Sequence, residues 1–190
     1  MRKTQCVNFV THLECADCGK HYPAGQPHNL CTDCHRPLWV RYDLGQLRDC
    51  FPRELLAGRP SDLWRYRELL PYVDAANVVS LGETATPILP ASRLGAELGL
   101  ANLQIKDESR LPTGSFKARG AFNTLLSQPV PKAGVVAASG GNHGAAVALA
   151  ATRLGNPAAI FVPEMAGAAK ISLIERTGAA LTVVPGEYAN

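Results

Sequence analysis

Helical and strand patterns alternate along the chain after Pro87, and this alternation restricts the possible folds more than any other property of the sequence. Short apolar runs with the length of buried strands are separated by segments with the 3.6-residue repeat of helices. The pattern predicts an α/β fold with a parallel sheet and helices on both of its faces. The predicted strands are residues 103–106, 134–138, 158–162 and 181–184, and the predicted helices are 92–99, 115–127, 145–154 and 168–177.

The ends of these segments predict how the helices stop and where a ligand binds. Gly155 and Gly178 follow predicted helices, at positions where a left-handed residue commonly closes a helix. In open sheets of this kind, ligands bind beyond the carboxyl ends of the strands. We expect Lys117 and Asn142 at that edge of the sheet.

Lys117 is predicted to lie in the first turn of a helix. Pro112 and Gly114 prevent an earlier start of this helix, and Thr113 or Ser115 can cap it. The unpaired N–H groups and the dipole of the helix disfavour an ammonium group there. The position therefore favours the neutral amine that forms a Schiff base with a carbonyl compound. On this segment alone, a solvated surface lysine remains equally open.

A glycine-rich loop, Ser-Gly-Gly-Asn-His-Gly at residues 139–144, joins a predicted strand to a predicted helix. Its glycines let backbone N–H groups turn toward an anion at the N-terminus of the helix. The loop can hold a carboxylate or a phosphate. Glycine turns also form without any ligand, so the composition of the loop leaves both interpretations open.

Four of the six cysteines form two Cys-x-x-Cys pairs. Each pair lets a tight turn direct two thiolates toward one ion, which predicts a closed and therefore structural zinc site with four sulfur ligands. The alternatives are reduced thiols without a metal, or a site that has lost its metal. The predicted ligands are Cys15, Cys18, Cys31 and Cys34.

Four motifs, in their order and spacing, resemble the fold-type II pyridoxal-phosphate (PLP) enzymes, which include threonine synthase, the serine/threonine dehydratases and cysteine synthase. The stretch Thr-Gly-Ser-Phe-Lys-Ala-Arg-Gly around Lys117 is similar to the signature of their cofactor lysine. The other three motifs are Gly-Glu-Thr-Ala-Thr-Pro at 82–87, Ile-Lys-Asp-Glu at 105–108 and the asparagine loop at 139–144. The cysteine-rich extension, followed by Leu-Trp-Arg-Tyr-Arg-Glu-Leu-Leu-Pro at 63–71, resembles threonine synthase in particular.

This resemblance implies roles for individual residues. Lys117 would form the Schiff base with PLP, and Phe116 would pack in the cofactor site. Asn142 would hydrogen-bond the phenolic oxygen of the cofactor. The substrate α-carboxylate would be bound by Ser139, Gly140, Asn142 and His143.

The resemblance implies a PLP-dependent lyase that acts on a small amino-acid substrate, and it leaves two reactions open. The extension favours threonine synthase, which converts O-phospho-L-homoserine and water to L-threonine and phosphate. His143 is instead typical of the L-threonine/L-serine dehydratases, which are ammonia-lyases. We favour the synthase. A hypothesis of another class is a non-catalytic zinc-ribbon fragment or assembly module.

The resemblance also predicts how the chain is organised. Residues 1–60 are interpreted as a zinc-ribbon-like extension and linker, and residues 61–190 as the N-terminal part of a truncated PLP-dependent catalytic domain. The family's phosphate-binding glycine loop and the partner of the pyridine nitrogen come later than these residues, and no glycine cluster follows Asn142. We therefore expect an incomplete sheet, no turnover from these residues alone, and a homodimer for the full-length enzyme.

Charge and hydropathy exclude several classes of partner. The net charge of +3 is small and dispersed, which does not indicate a nucleic-acid protein. No apolar run approaches the roughly 18 residues of a transmembrane helix, and Arg2 and Lys3 are not followed by the apolar stretch of a signal peptide. The sequence predicts a cytoplasmic protein without membrane or nucleic-acid partners.

Overall fold

The computed structural model describes residues 8–26, 28–70 and 85–186 of the chain. The chain forms two compact units, Met1–Pro60 with Trp64–Ala76 and Ser61–Leu63 with Asn77–Asn190. The first half of the motif predicted at residues 82–87 lies outside the described residues. Within the described ranges, no helix is both long enough and apolar enough to cross a membrane.

The first unit is built on a three-stranded antiparallel sheet. β1 (Val10–Cys15) lies in the middle, between β2 (His21–Pro23) and β3 (Leu38–Tyr42). α1 (Leu44–Cys50) follows, and the Asp43 side chain caps it by accepting a hydrogen bond from the Gln46 N–H at 2.9 Å. Short 3₁₀ turns at Arg53–Leu56 and Leu63–Leu69 complete the described N-terminal part of the chain.

The second unit contains a parallel sheet of three strands in the order β6-β7-β8, which confirms the predicted parallel sheet. The strands are β6 (Val135–Ala138), β7 (Ala158–Pro163) and β8 (Ala180–Val184). The helices are α2 (Ser92–Leu98), α3 (Lys117–Ser127), α4 (Asn142–Arg153) and α5 (Ala168–Glu175). Left-handed glycines follow two of the helices as predicted, Gly155 with φ +73° and Gly178 with φ +81°.

One predicted strand does not join the parallel sheet. β5 (Gln104–Lys106) pairs antiparallel with β4 (Ile88–Pro90) in a separate two-stranded sheet. Hydrophobic periodicity identifies a strand but not the strand that it pairs with. The prediction that β5 belongs to the parallel sheet was therefore wrong. The helix boundaries also shift. Ser115 is extended, so α3 begins two residues later than predicted, whereas α4 begins three residues earlier.

The core of the second unit lies between the parallel sheet and two helices. Ile160 and Val162 of β7 pack with Ala145 and Ala148 of α4 and with Ile174 of α5. α3 packs against α4, and its buried residues have the predicted helical spacing. Among the described residues, helices cover this face of the sheet, while Val136 and Phe161 on the opposite face are exposed.

α4 approaches the end of β6 so closely that one position accepts only glycine. A Cβ atom on Gly144 would lie 1.9 Å from the carbonyl oxygen of Ser139 and 3.3 Å from Cγ2 of Ile160. Neither neighbour can move aside, because the Ser139 oxygen belongs to the backbone and Ile160 is packed in the core. The third residue of α4 therefore sets how near the glycine-rich loop lies to the sheet.

Candidate functional site

A strained turn precedes the predicted cofactor lysine. Leu111 is buried and anchors a short 3₁₀ turn, Pro112–Gly114, in which Thr113 and Gly114 both have φ +68°. A β-branched residue rarely adopts this left-handed conformation. The Thr113 hydroxyl oxygen is also buried without a hydrogen-bond partner among the described residues.

Lys117 is the first residue of α3, as the sequence predicted for a first-turn lysine. Its backbone N–H donates to Oγ of Ser115 at 3.4 Å, so Ser115 rather than Thr113 supports the start of the helix. The Lys117 side chain is exposed, and its Nζ lies 5.0 Å from the ring centroid of Phe116. In the part of the chain that the structure describes, no carboxylate forms an ion pair with this amine.

The four predicted carboxylate-binding residues lie in one turn between β6 and α4. The Ser139 N–H donates to the Phe161 carbonyl at 2.9 Å, and Oγ of Ser139 accepts from the Gly141 N–H at 3.4 Å. Gly140 is buried, whereas Asn142 and His143 are exposed at the first turn of α4. The loop therefore presents two polar side chains and a helix N-terminus at the carboxyl end of β6.

Lys170 is a residue at this site that sequence reasoning missed. Its Nζ donates to Oδ1 of Asn142 at 2.5 Å. The contact joins the start of α5 to the start of α4, across 28 residues of sequence. A lysine two residues into a helix after a glycine resembles any surface lysine, so only the fold reveals this partner.

Glu108 connects three segments beside the lysine helix. Its carboxylate accepts a hydrogen bond from the Thr86 hydroxyl and one from Nε of Arg119 at 3.2 Å. Nζ of Lys106 lies 3.7 Å from the same carboxylate and donates to the Thr86 carbonyl at 3.3 Å. Thr86 precedes β4, Lys106 ends β5 and Arg119 belongs to α3. This one side chain therefore links the small antiparallel sheet to the helix that carries Lys117.

The same contacts determine the ionisation of Glu108. Partial burial raises the pKa of Glu108, but the Thr86 hydroxyl and the Arg119 guanidinium outweigh burial, so the pKa lies below its usual value. Glu108 is therefore a carboxylate at neutral pH. The motif Lys-x-Glu was visible in the sequence, but its partners, far along the chain, were not.

In the first unit, the four predicted zinc ligands converge. The sulfur atoms of Cys15, Cys18, Cys31 and Cys34 all lie within 4.8 Å of one another. Sγ of Cys15 is 3.3 Å from Sγ of Cys34, and Sγ of Cys18 is 3.6 Å from Sγ of Cys31. Sulfur atoms that bind one zinc ion tetrahedrally at about 2.3 Å stand about 3.8 Å apart, so the arrangement fits a zinc ion.

Neighbouring groups change the pKa values of these thiols in opposite directions. The Tyr22 hydroxyl donates to Sγ of Cys31 at 3.1 Å, and this contact is the main reason that the pKa of Cys31 is lowered to about 6. The Cys34 thiol shares its proton with Cys15, which raises the pKa of Cys34 to about 12. Zinc binds thiolates, so loading the site releases the protons that the cluster still holds.

The α/β fold of the second unit is similar to that of solved fold-type II PLP enzymes. Diaminopropionate ammonia lyase from Escherichia coli, in its apo form, superposes with a TM-score of 0.51 at 28% identity, over 57% of this chain and 34% of that one. The family model described as "Pyridoxal-phosphate dependent enzyme" matches residues 79–190, more than half of the chain. The chain belongs to this family.

Two kinds of curated relative match the chain. Threonine synthase from Methanocaldococcus jannaschii is 35% identical over 151 residues, which cover 79% of this chain and 37% of the relative. L-threonine ammonia-lyase from Thermotoga maritima is 44% identical over 93 residues, which cover 48% of this chain and 23% of the relative. The chain thus spans little more than a third of the length of the threonine synthase that it matches.

The described residues fit PLP. The exposed Lys117 amine, unpaired with any described carboxylate, is available to the aldehyde of the cofactor. The turn before α4 offers an amide side chain and N–H groups, and its close approach to the sheet leaves no room for a side chain at Gly144. Lys117 and Asn142 would hold the cofactor, and Phe116, 57% exposed beside the amine, would cover it.

Replacing Glu108 by glutamine should lower stability in a pH-dependent way. The substitution leaves Arg119 without its charge partner and should cost about 1–2 kcal/mol of unfolding free energy at neutral pH. Because the folded pKa of Glu108 is lowered, its contribution is present above the unfolded pKa of about 4.3 and is lost as the pH falls through the folded pKa.

Urea denaturation of the parent and of Glu108→Gln between pH 7 and pH 3 measures this difference. The control is Glu97→Gln, which changes an exposed carboxylate whose ion pair among the described residues is with Arg93 in the adjacent helical turn. A stability difference for Glu108→Gln that stays constant down to pH 3 would contradict the electrostatic explanation.

Proposed function

We propose that the protein is a PLP-dependent lyase of amino-acid metabolism and, specifically, a threonine synthase that forms L-threonine and phosphate from O-phospho-L-homoserine and water. The observation that carries this choice is the extent of the match. The threonine synthase relative aligns with 79% of the chain, more than residues 79–190 alone can supply, whereas the ammonia-lyase relative aligns with 48%. The additional matched residues must include part of the chain before residue 79.

In this proposal, Lys117 supplies the reactive amine. When bound, PLP provides an electron sink for negative charge that develops at the substrate α-carbon. Nζ of Lys117 would hold the cofactor, and the same amine would be placed to accept the α-proton of the substrate. The exposed position of Lys117 at the start of α3 suits both tasks, because the side chain is not engaged by a described carboxylate.

The loop at residues 139–144 binds and orients the substrate. Ser139, Gly140, Asn142 and His143 receive its α-carboxylate at the N-terminus of α4, where backbone N–H groups favour an anion. Lys170 occupies Oδ1 of Asn142, and this fixes the orientation of the amide. Nδ2 of Asn142 would then be free to donate to the phenolic oxygen of the cofactor.

A second candidate is an L-threonine/L-serine dehydratase. It is favoured by His143 in the carboxylate loop and by the higher identity, 44%, to the ammonia-lyase over the residues that both share. The two reactions begin with the same proton removal and differ in what leaves the substrate. The residues that they share therefore do not separate them.

Product analysis of the full-length protein distinguishes the two reactions. Incubation with O-phospho-L-homoserine should release phosphate and form threonine. Incubation with threonine should yield little 2-oxobutanoate. His143→Ala should change kcat/KM for the substrate by about tenfold or more while leaving the affinity for PLP nearly unchanged, because the side chain serves the carboxylate. Rapid formation of 2-oxobutanoate without phosphate release would select the dehydratase.

The lysine assignment has its own test. Borohydride reduction of the full-length protein loaded with PLP, followed by peptide mapping, should place one pyridoxyl group on Lys117. Lys117→Ala should abolish this label. Lys170→Ala, a matched change at the other lysine of the site, should retain it. A pyridoxyl group on Lys106, Lys132 or Lys170 of the parent would show that the assignment is wrong.

We also propose that the four thiols bind one structural zinc ion, within an extension formed by residues 1–60. Elemental analysis of the purified protein should give about one zinc per chain. Cys31→Ser should remove it, because this position loses the thiolate that Tyr22 stabilises. Cys50→Ser is the matched control, since Cys50 lies outside the cluster and should leave the zinc content unchanged. Full zinc content in Cys31→Ser would exclude the four-thiolate site.

A further inference from the structure

A second group of metal-binding side chains lies on the small antiparallel sheet of the first unit. Nε2 of His12 and Nε2 of His21 are each 3.7 Å from the same oxygen, Oε2 of Glu14. The three ligand atoms lie within 4.8 Å of one another, and the two imidazole rings are 4.1 Å apart at their centroids. No function assigned above uses these residues.

Strand geometry produces this cluster and separates it from the thiols. Glu14 of β1 pairs directly with His21 of β2, and His12 lies two residues before Glu14 on the same face of β1. Cys15 and Leu13 alternate with them and pack into the thiol core on the other face. The two groups of ligands therefore occupy opposite faces of one strand.

The contacts of Thr11 favour the tautomer of His12 that a metal requires. The Thr11 hydroxyl lies 3.1 Å from the Arg41 carbonyl, which can only accept, and its oxygen lies 2.9 Å from Nδ1 of His12. When the hydroxyl donates to Arg41, Nδ1 carries the proton of this second contact and Nε2 carries the lone pair. A metal-bound histidine typically donates its other ring N–H to an oxygen in this way.

The Nε2 atom of His12 is buried and has no hydrogen-bond partner among the described residues. A buried polar atom without a partner requires an explanation, and a bound ion is one such explanation. Tetrahedral ligands about 2.1 Å from a metal stand about 3.4 Å apart, so each of the two histidine–carboxylate distances of 3.7 Å requires a shift of only a few tenths of an ångström.

Arg41 supplies a further contact to the carboxylate. Its guanidinium donates to both oxygens of Glu14, at 2.6 Å and 3.1 Å. These two hydrogen bonds fix the orientation of the Glu14 carboxylate. The positive charge of Arg41 also opposes a dication, so binding at this site should be weaker than at the four thiolates.

We propose that His12, Glu14 and His21 form a second metal site, which binds one divalent transition-metal ion of the kind that prefers imidazole and carboxylate ligands. His21 is 64% exposed, so water completes the coordination from the solvent side. The bound ion joins β1 to β2 across the sheet. This site is independent of the PLP chemistry and of the zinc at the thiols.

Nickel added to the zinc-loaded protein tests the site, because the two elements are counted separately. A tag-free protein that holds one zinc is dialysed against Ni²⁺ and analysed for both metals. We expect one zinc and one nickel per chain. His12→Gln and His21→Gln should lose the nickel and keep the zinc, which also reports that the first unit is folded. His28→Gln, a nearby histidine outside the cluster, should keep both metals.

Thr11→Val tests the proposed orientation of His12 with all three ligands present. Loss of the hydroxyl should weaken nickel binding by about 10- to 100-fold while the zinc is retained. In the unmodified protein, Ni²⁺ should broaden the imidazole proton signals of His12 and His21 before those of His28 and His35. This measurement needs no variant to fold.

Three results would overturn the second site. One is no nickel bound beyond the zinc. Another is nickel that replaces zinc one for one. The third is nickel content or signal broadening that does not depend on His12 and His21.

Discussion

The close approach of α4 to the end of β6 controls the candidate catalytic site. Gly144 and the buried alanines of α4 allow the helix backbone to lie directly against Ser139 and Ile160. This packing fixes the turn in between, and the turn carries the residues proposed to bind the carboxylate. α3 in turn packs on α4, so the position of Lys117 depends on the same helix. A helix of larger residues would move both groups away from the sheet.

Glu108 gives this arrangement a second attachment. It receives contacts from Thr86, Lys106 and Arg119, and these residues come from three different elements. The contacts hold the start of α3 against the small antiparallel sheet rather than only against α4. Charge and packing therefore fix the lysine helix from two directions, and the proposed role of Lys117 requires its amine at a defined position.

Much of this organisation is readable from the sequence, and the rest has identifiable physical reasons for being hidden. Local signals were sufficient for the parallel strands, the first-turn position of Lys117, the left-handed Gly155 and the convergence of four cysteines. Partner choice was not local. β5 was assigned to the wrong sheet because the composition of such a short strand does not show that it pairs antiparallel with β4. Lys170, Arg119 and the His12–Glu14–His21 cluster were missed for the same reason, since their meaning lies in contacts between distant segments.

Thr113 has a mechanical consequence for the loop that presents Lys117. Among the described residues, its left-handed backbone and its buried hydroxyl oxygen without a hydrogen-bond partner are two separate penalties at one residue. A non-glycine residue held in such a conformation costs about 1–3 kcal/mol, which the surrounding packing must counteract. A change that returned Thr113 to a negative φ would remove this local cost, but it would also break the packing that holds the turn. The path of the chain just before Lys117 is therefore maintained by its neighbours and not by the preference of Thr113 itself.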